Sequence, residues 1–360
     1  MYGATAGKVG WLEINATTNQ AVLAAIPNKS IVASSKWLYW SLLHSAQSLL
    51  CRLQGSGQPN LSKGLIDSHI VQLPPALEQP LIAQILDTLD TAIRETEALI
   101  DKLKAVKQGL LHDLLTRGID SNGQLRPPQS EAPQLYKESP LGWIPREWGV
   151  VTLESVSSAV TSGSRDWARF YSDSGALFVR IGNLTREHIN FRCNSVIRVQ
   201  PPENGDGQRT KLEPGDILVS ITADLGIIGV VPEGMGEAYI NQHIALVRPS
   251  SSLVNSRFVG HYLAGPIMQA YISQLNDAGA KAGLNLPTIR NLPSPFPSRF
   301  EQDQIAARLD EIDNRIQNAM TEAKKLSELK SGLMDDLLTG RVRVTPLLEP
   351  EQQATAPMGA

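Results

Sequence analysis

One stretch of this chain occurs twice, and that repeat limits the possible folds more than any other feature. The segment opening EQPLIAQILDTLDTAI at Glu78 is matched by EQDQIAARLDEIDNRI at Glu301, an offset of 223 residues that holds without a gap to the end of the segment. Ile82 falls on Ile305, Leu86-Asp87 on Leu309-Asp310, Ile93 on Ile316 and Leu103 on Leu326. Asp113-Leu114-Leu115-Thr116 falls on Asp336-Leu337-Leu338-Thr339. The period is far too long for a solenoid. It reads as the duplication of one domain-plus-helix unit, a pseudo-two-fold object suited to a target with two related halves.

Both repeated segments carry helical periodicity. Ile82, Leu89, Leu103 and Leu110 share one heptad position, Ile85, Ala92, Leu99 and Val106 the position three later, and Leu86, Ile93, Ile100 and Leu114 the next. That broad stripe lasts about five heptads. The second segment keeps it with Ile305, Ile312, Ala319, Leu326 and Leu333 beside Leu309, Ile316, Ala323 and Leu337, while Arg308, Arg315 and Glu322 interrupt one row. Some 36 helical residues span roughly 54 Å, more than a small domain can cover. Each stripe is therefore expected to pack against the other copy, antiparallel, as a duplicated unit folding back on itself requires.

The repeat continues upstream. Gly7-Lys8-Val9-Gly10 sits on Gly226-Ile227-Ile228-Gly229, Asn19-Gln20 on Asn241-Gln242, Asn60-Leu61 on Asn285-Leu286, and Leu73-Pro74 on Phe296-Pro297. Thr5 aligned on Thr222 places Met1 on Leu218, so a module beginning near Ser139 lacks about 79 residues at the front of its first copy. In that copy VGWLEI and QAVLAAI are strand-like, and SSKWLYWSLLHSAQSLL from Ser34 is helical, with Ser34 or Ser35 as N-cap. In the second, DILVSIT, IIGVV and IALVR read as strands and the stretch from Ser256 as the matching helix. The expected organisation is an incomplete first domain at 1–77, a long helix at 78–118, a Pro-, Gln- and Ser-rich linker at 119–138, a second domain at 139–299, a second long helix at 300–342 and a disordered tail at 343–360. An incomplete first domain should show unpaired strand edges and unusual exposure at Trp11, Trp37, Tyr39 and Trp40. A second copy, or a separately encoded fragment, could then complete it.

A hydrophobic fraction of 42% with 19% charged residues describes a globular protein. No stretch approaches a membrane span, and no signal peptide is visible at the N-terminus. Cys51 and Cys193 do not fall on equivalent places, so a disulfide is not expected and the chain fits the cytoplasm. A net charge of −3 makes no global case for nucleic acid. The distribution is more informative. Arg165, Arg169, Arg180, Arg186, Arg192, Arg198, Arg209 and Lys211 crowd one segment with fewer acids between them. That pattern suits a phosphate backbone, and it also suits a solvated mixed surface. Gly3 to Lys8 imitates a phosphate loop but has three residues, not four, before Gly7-Lys8, and Val9 follows. A turn that the fold needs twice explains it better. The Gly-rich loops QGSGQPN from Gln54 and AGAKAGLN from Ala278 stand at equivalent places and offer Gln58 and Asn60 in one, Lys281 and Asn285 in the other. Such side chains can read base edges, or simply belong to plain connections. The six histidines are scattered without metal spacing, and no catalytic signature is present.

At SPLGWIPREWGVVTLESV from Ser139, the chain resembles the start of a target recognition domain in type I restriction-modification specificity subunits. GDILVSIT from Gly215, YINQHIALVRP from Tyr239, and GLLHDLLTRG with its counterpart GLMDDLLTGR resemble the same family. The resemblance covers nearly the whole chain. It implies an α+β fold: β-rich target recognition domains joined by two long antiparallel coiled-coil helices in a pseudo-two-fold repeat. It also implies a subunit without chemistry of its own, which reads a bipartite site on double-stranded DNA. Methyltransferase subunits using S-adenosylmethionine and a restriction/translocase subunit using ATP and Mg would be its partners. The chain departs from the family pattern in lacking a first GWIP and a first basic segment, so the resemblance is to an N-terminally truncated member. Trp143 and Trp148 are expected in the core. DNA contacts are expected from Arg165, Arg169, Arg180, Asn183, Arg186, Lys281 and Asn285 in the second domain, and from Lys8, Gln58 and Asn60 in the first. The competing expectation is a coiled-coil scaffold protein with no sequence-specific DNA contact.

Overall fold

The computed structural model describes residues 6–51, 61–192, 195–202, 205–277 and 284–348. The chain opens with helices α1 (Ser35–Cys51), α2 (Lys63–Asp67) and α3 (Glu78–Thr116). Seven strands follow: β1 (Tyr136–Ser139), β2 (Gly142–Pro145), β3 (Gly149–Thr152), β4 (Ser157–Ser162), β5 (Tyr171–Ser172), β6 (Ala176–Val179) and β7 (Arg198–Val199). After helix α4 (Gly205–Thr210) come β8 (Ile217–Ser220), β9 (Ile228–Val230), β10 (Ala238–Ile240) and β11 (Ile244–Pro249). Helices α5 (Ser256–Ala264), α6 (Pro266–Asp277) and α7 (Leu286–Arg290), strand β12 (Pro293–Phe296) and helix α8 (Arg299–Leu338) complete the fold. The chain forms two compact units, residues 1–101 with 317–360 and residues 102–316, and α3 and α8 each contribute to both.

In the first unit, α1 docks on the N-terminal part of α3. Ser34 Oγ accepts the Trp37 N–H and caps α1, while Gln79 Oε1 accepts the N–H groups of Ala33 and Ser34. Trp37, Trp40, Ile82, Leu86, Leu337, Leu338 and Val344 form one apolar cluster. Lys330 Nζ lies 2.5 Å from Asp90, and Arg343 lies 2.8 Å from Glu78. Partners on one side descend in number as those on the other rise, so the segments run antiparallel here.

The second unit is β-rich. Antiparallel strands β4-β11-β8-β9 form one four-stranded sheet. The other has the order β10-β6-β7-β5, with β10 and β6 parallel. Two-stranded ribbons β1-β2 and β12-β3 complete it. The larger core runs from Leu111, Leu114 and Leu115 of α3 through Ile217, Val219, Ala245 and Val247 to Phe258 and to Ile305 and Leu309 of α8. Lys107 pairs with Asp313, and Glu301 accepts from the Ile119 N–H at 2.8 Å. Again one helix rises while the other falls.

The repeat is visible bond by bond. Asp87 accepts from Lys36 and from Trp40 Nε1; its counterpart Asp310 accepts from Arg257 and pairs with His261. Gln79 Nε2 donates to the Pro74 carbonyl, and Gln302 Nε2 to that of Pro297. Lys330–Asp90 repeats as Lys107–Asp313, and Arg343–Glu78 as Arg126–Glu301. Gly7 and Gly226 both hold positive φ, +80° and +77°, which a glycine adopts without Cβ strain.

Six expectations are corrected. The segments VGWLEI and QAVLAAI form no strands. Their counterparts include β9 and β11, which pair with β8 and β4; residues 6–51 contain no copy of either partner, and a strand needs a neighbour for its hydrogen bonds. Trp37 and Trp40 are 0% and 1% exposed, because they take the core places of Phe258 and His261; Trp11 is 40% exposed. Residues 119–138 are no loose linker. Ile119 and Tyr136 are buried, and Arg126 is gripped by Glu301. Residues 343–348 are likewise engaged, with Val344 and Leu348 buried; the rest of the expected tail lies outside the described residues. Trp148 is buried and donates to Glu301 Oε2 at 3.0 Å, but Trp143, on the outer part of β2, is half exposed. The apolar helix stripe is also wider than its seam, since Leu99, Val106 and Leu329 remain exposed.

Candidate nucleic-acid interface

Strand pairing in the second unit collects several loops along one edge. Because β6 and β10 are parallel, their C-terminal ends, Val179 and Ile240, lie side by side. Ser164, just beyond β4, bridges Asn241, just beyond β10. The Gly163 N–H donates to the Ile244 carbonyl, and a Cβ on Gly163 would lie 2.0 Å from the Asn241 carbonyl oxygen, so only glycine permits this approach. Ile244 faces Ser220 at the end of β8, and the Ile221 N–H donates to the His243 carbonyl. Loops 163–166, 180–186, 221–227 and 241–243 therefore share an edge. Leu284, the first described residue of the stretch leading into α7, joins it by donating to the Ile221 carbonyl.

Most of the basic side chains there are held in place. Arg186 donates to Gln269 Oε1 at 2.9 Å, to Asp224 Oδ1 at 2.5 Å and to the Leu225 carbonyl at 2.7 Å, yet half its side chain is exposed. Arg209 anchors the end of β4 through Thr161, Ser162 and Ser164. Arg180 reaches Ser195 Oγ at 3.4 Å, and its buried Nε has no hydrogen-bond partner among the described residues. Arg165 and Arg169 are exposed, with the Arg169 guanidinium 4.8 Å from the Phe170 ring centre. Between them, Trp167 is buried and stacked on Phe178 at 5.3 Å, so it props the loop from inside. Tyr239 packs against the same ring. Burial and its hydrogen bond to Glu237 push the phenol up to about 12, which keeps it a neutral donor.

Two expected base readers have structural duties. Asn183 is buried: its Oδ1 accepts the Arg180 N–H, and its Nδ2 donates to the carbonyls of Arg192 and Ser195. This amide shapes the loop and has no face left for a base. Asn285 is exposed, but its Oδ1 caps α7 by accepting from the N–H and hydroxyl of Thr288. Lys8 is exposed in the first unit. Gln58, Asn60 and Lys281 lie outside the described residues.

The edge also holds Thr222, Asn241, Gln242 and His243, which lie in stretches that carry the family resemblance and were not expected as DNA contacts. His243 Nδ1 lies 2.7 Å from Thr222 Oγ1, and its Nε2 lies 3.0 Å from Gln242 Nε2. The two positive-φ residues other than glycine among those described, Asp166 at 65° and Ala223 at 57°, sit in these same loops. Backbone in that region is strained for side-chain-bearing residues and gathers at functional sites. Among the described residues, no cluster of His, Cys, Asp and Glu is placed to hold a metal, and no helix is long and apolar enough to cross a membrane.

Residues 1–105 and 145–331 match the family model for the type I restriction modification DNA specificity domain. The chain belongs to that family. It is 24% identical over 336 residues to the type I restriction enzyme MjaVIII specificity subunit of Methanocaldococcus jannaschii, covering 91% of this chain and 75% of that protein. It is 22% identical over 278 residues to the EcoBI specificity subunit of Escherichia coli, covering 75% of this chain and 58% of that one. Among solved structures, the S subunit of the type I restriction-modification system of M. genitalium superposes with a TM-score of 0.58 at 16% identity, covering 84% of this chain and 72% of that one. The α+β fold with long helices is thus that of specificity subunits.

Proposed function

We propose that this family member is the DNA-specificity subunit of a type I restriction-modification complex, a non-catalytic chain that reads sequence and scaffolds others. The observation that carries the reading is the doubled architecture. One module is repeated hydrogen bond by hydrogen bond, and its second copy gathers strained loops and arginines along one edge. Repeated frames with differing loops suit a bipartite site read one half at a time. Arg165, Arg169 and Arg186 supply phosphate contacts, and Arg180 orients its loop against Ser195. The partners are double-stranded DNA, methyltransferase subunits using S-adenosylmethionine, and a restriction/translocase subunit using ATP and Mg, all in the cytoplasm. The exposed Leu99, Val106 and Leu329 on the long helices are where protein partners gain apolar contact.

The test is duplex DNA binding by the full chain across a salt series. Expected are a log-linear loss of affinity with salt and a preference for particular sequences among random duplexes. Binding with a salt slope but no sequence preference would leave a scaffold that touches DNA only through phosphates. No binding would leave the interaction-protein reading.

A further inference from the structure

We infer that Gln242 is a base-reading residue of the second recognition domain, selecting an adenine in the major groove, and that His243 and Thr222 position it. The inference rests on the DNA-specificity reading above. An amide nitrogen can only donate, so Gln242 Nε2 gives its proton to His243 Nε2. A neutral ring that accepts at Nε2 carries its proton at Nδ1, and donates it to Thr222 Oγ1 at 2.7 Å. The ring is thereby fixed at both ends, and it fixes the amide. Among the described residues the Gln242 side chain makes this one hydrogen bond. Its Oε1 and second N–H remain, an acceptor beside a donor, which matches the N6 amino group and N7 of adenine.

The surrounding backbone supports this role. Asn241 Oδ1 accepts the His243 N–H, closing a tight turn that presents Gln242 at its tip. Gly163, just beyond β4, packs against that turn, and strained Ala223 stands next to Thr222. The first copy keeps the turn: Asn19 Oδ1 accepts the Ala21 N–H. It lacks the relay, because Ala21 stands where His243 would be. The two copies thus share a frame and differ in the side chain that orients the glutamine.

The experiment is selection of full-chain binders from randomised duplexes at one fixed salt concentration, for wild type, Gln242→Ala, Gln242→Glu and His243→Ala. Wild type should select a site containing a required A·T pair. Gln242→Ala should lose discrimination at that pair alone, by about 5- to 150-fold, the range for one bidentate contact. Gln242→Glu should move the preference there toward cytosine, whose N4 amino group a carboxylate accepts; a merely structural role would not redirect a base choice. His243→Ala should blunt the preference at the same position. Should Gln242→Ala prove unstable, Gln242→Glu, nearly equal in size, still decides. Wild-type preference with an identical site in Gln242→Glu overturns this inference and leaves the specificity reading standing. No preference in wild type overturns both.

Discussion

Individual side chains show how the same contact can carry different weight in the two copies. Glu301 accepts from Arg126, Trp148 Nε1 and the Ile119 N–H, and both members of its ion pair are under a tenth exposed. Removing one partner of a buried pair strands the other charge. Glu301→Ala should therefore destabilise the fold by about 3–5 kcal/mol. Glu78→Ala should cost distinctly less, since Arg343 is 38% exposed and returns to water. Urea unfolding of both variants checks the order, and equal losses would refute it. Histidines set a second expectation. Burial holds His188 below its ordinary value of 6.5, and burial likewise lowers His261 despite its bond to Asp310. Both are neutral in the folded chain, so the unfolded chain binds more protons as pH falls through 6.5, and stability is lost in that direction. Asp310 would be raised by burial, but its bonds from His261 and Arg257 lower it, so its contribution is kept above the ordinary carboxylate value of 3.8 and is lost only as pH falls below it. The urea midpoint should drop between pH 7.5 and 5.5 and drop again once the pH falls below the ordinary carboxylate value of 3.8. A midpoint that stays level or rises from 7.5 to 5.5 would contradict the histidine assignment.

At the scale of elements, the long helices were legible because their pattern is local and repeated, and their direction followed from the duplication. Their burial was less legible. Leu103 is 8% exposed, Leu326 only half-buried, and Leu99 nearly half exposed, because a periodicity marks which residues are apolar without saying how wide a seam two helices close. Leu103→Asp should accordingly lower the thermal midpoint far more than Leu326→Asp, a comparison that calorimetry can read directly. Strands β8, β9 and β11 were legible as β-branched runs. Residues 9–26 carry the same composition and form no strand, since pairing depends on a neighbour that local composition cannot announce. The candidate site was half legible. Its arginines stood out as a charge cluster. Asn183 and Asn285 were read as donors to bases, when a turn and a helix cap already use them. Gln242 and His243 stood in the sequence only within YINQHIALVRP, because their relay joins the ends of β8 and β10 across 21 residues of sequence.

On the scale of the whole molecule, the segment before α1 governs how the purified chain should behave. Leu12, Ile14, Val22, Ile26 and Ile31 are 59%, 70%, 52%, 89% and 54% exposed within twenty residues, in a stretch with no strand pairing. The Lys36 ammonium lies 4.3 Å from the Trp11 ring centre, and the ring is still 40% exposed. Exposed apolar side chains at this density, beside unpaired backbone, favour association with any surface that removes both from water. At roughly 25 cal/mol per Å² of apolar area removed, covering even 200 Å² of such surface is worth about 5 kcal/mol before the cost of association. The purified chain is therefore expected to self-associate in a concentration-dependent way. Ile14→Ser with Ile26→Ser should shift it toward monomer without changing the unfolding transition, since neither side chain belongs to the tryptophan-centred core around Trp37, Trp40 and Leu86. Size-exclusion chromatography with light scattering separates the outcomes. A wild-type chain that stays monomeric at high concentration, with residues 9–31 resistant to protease, would show that this segment is satisfied as it stands.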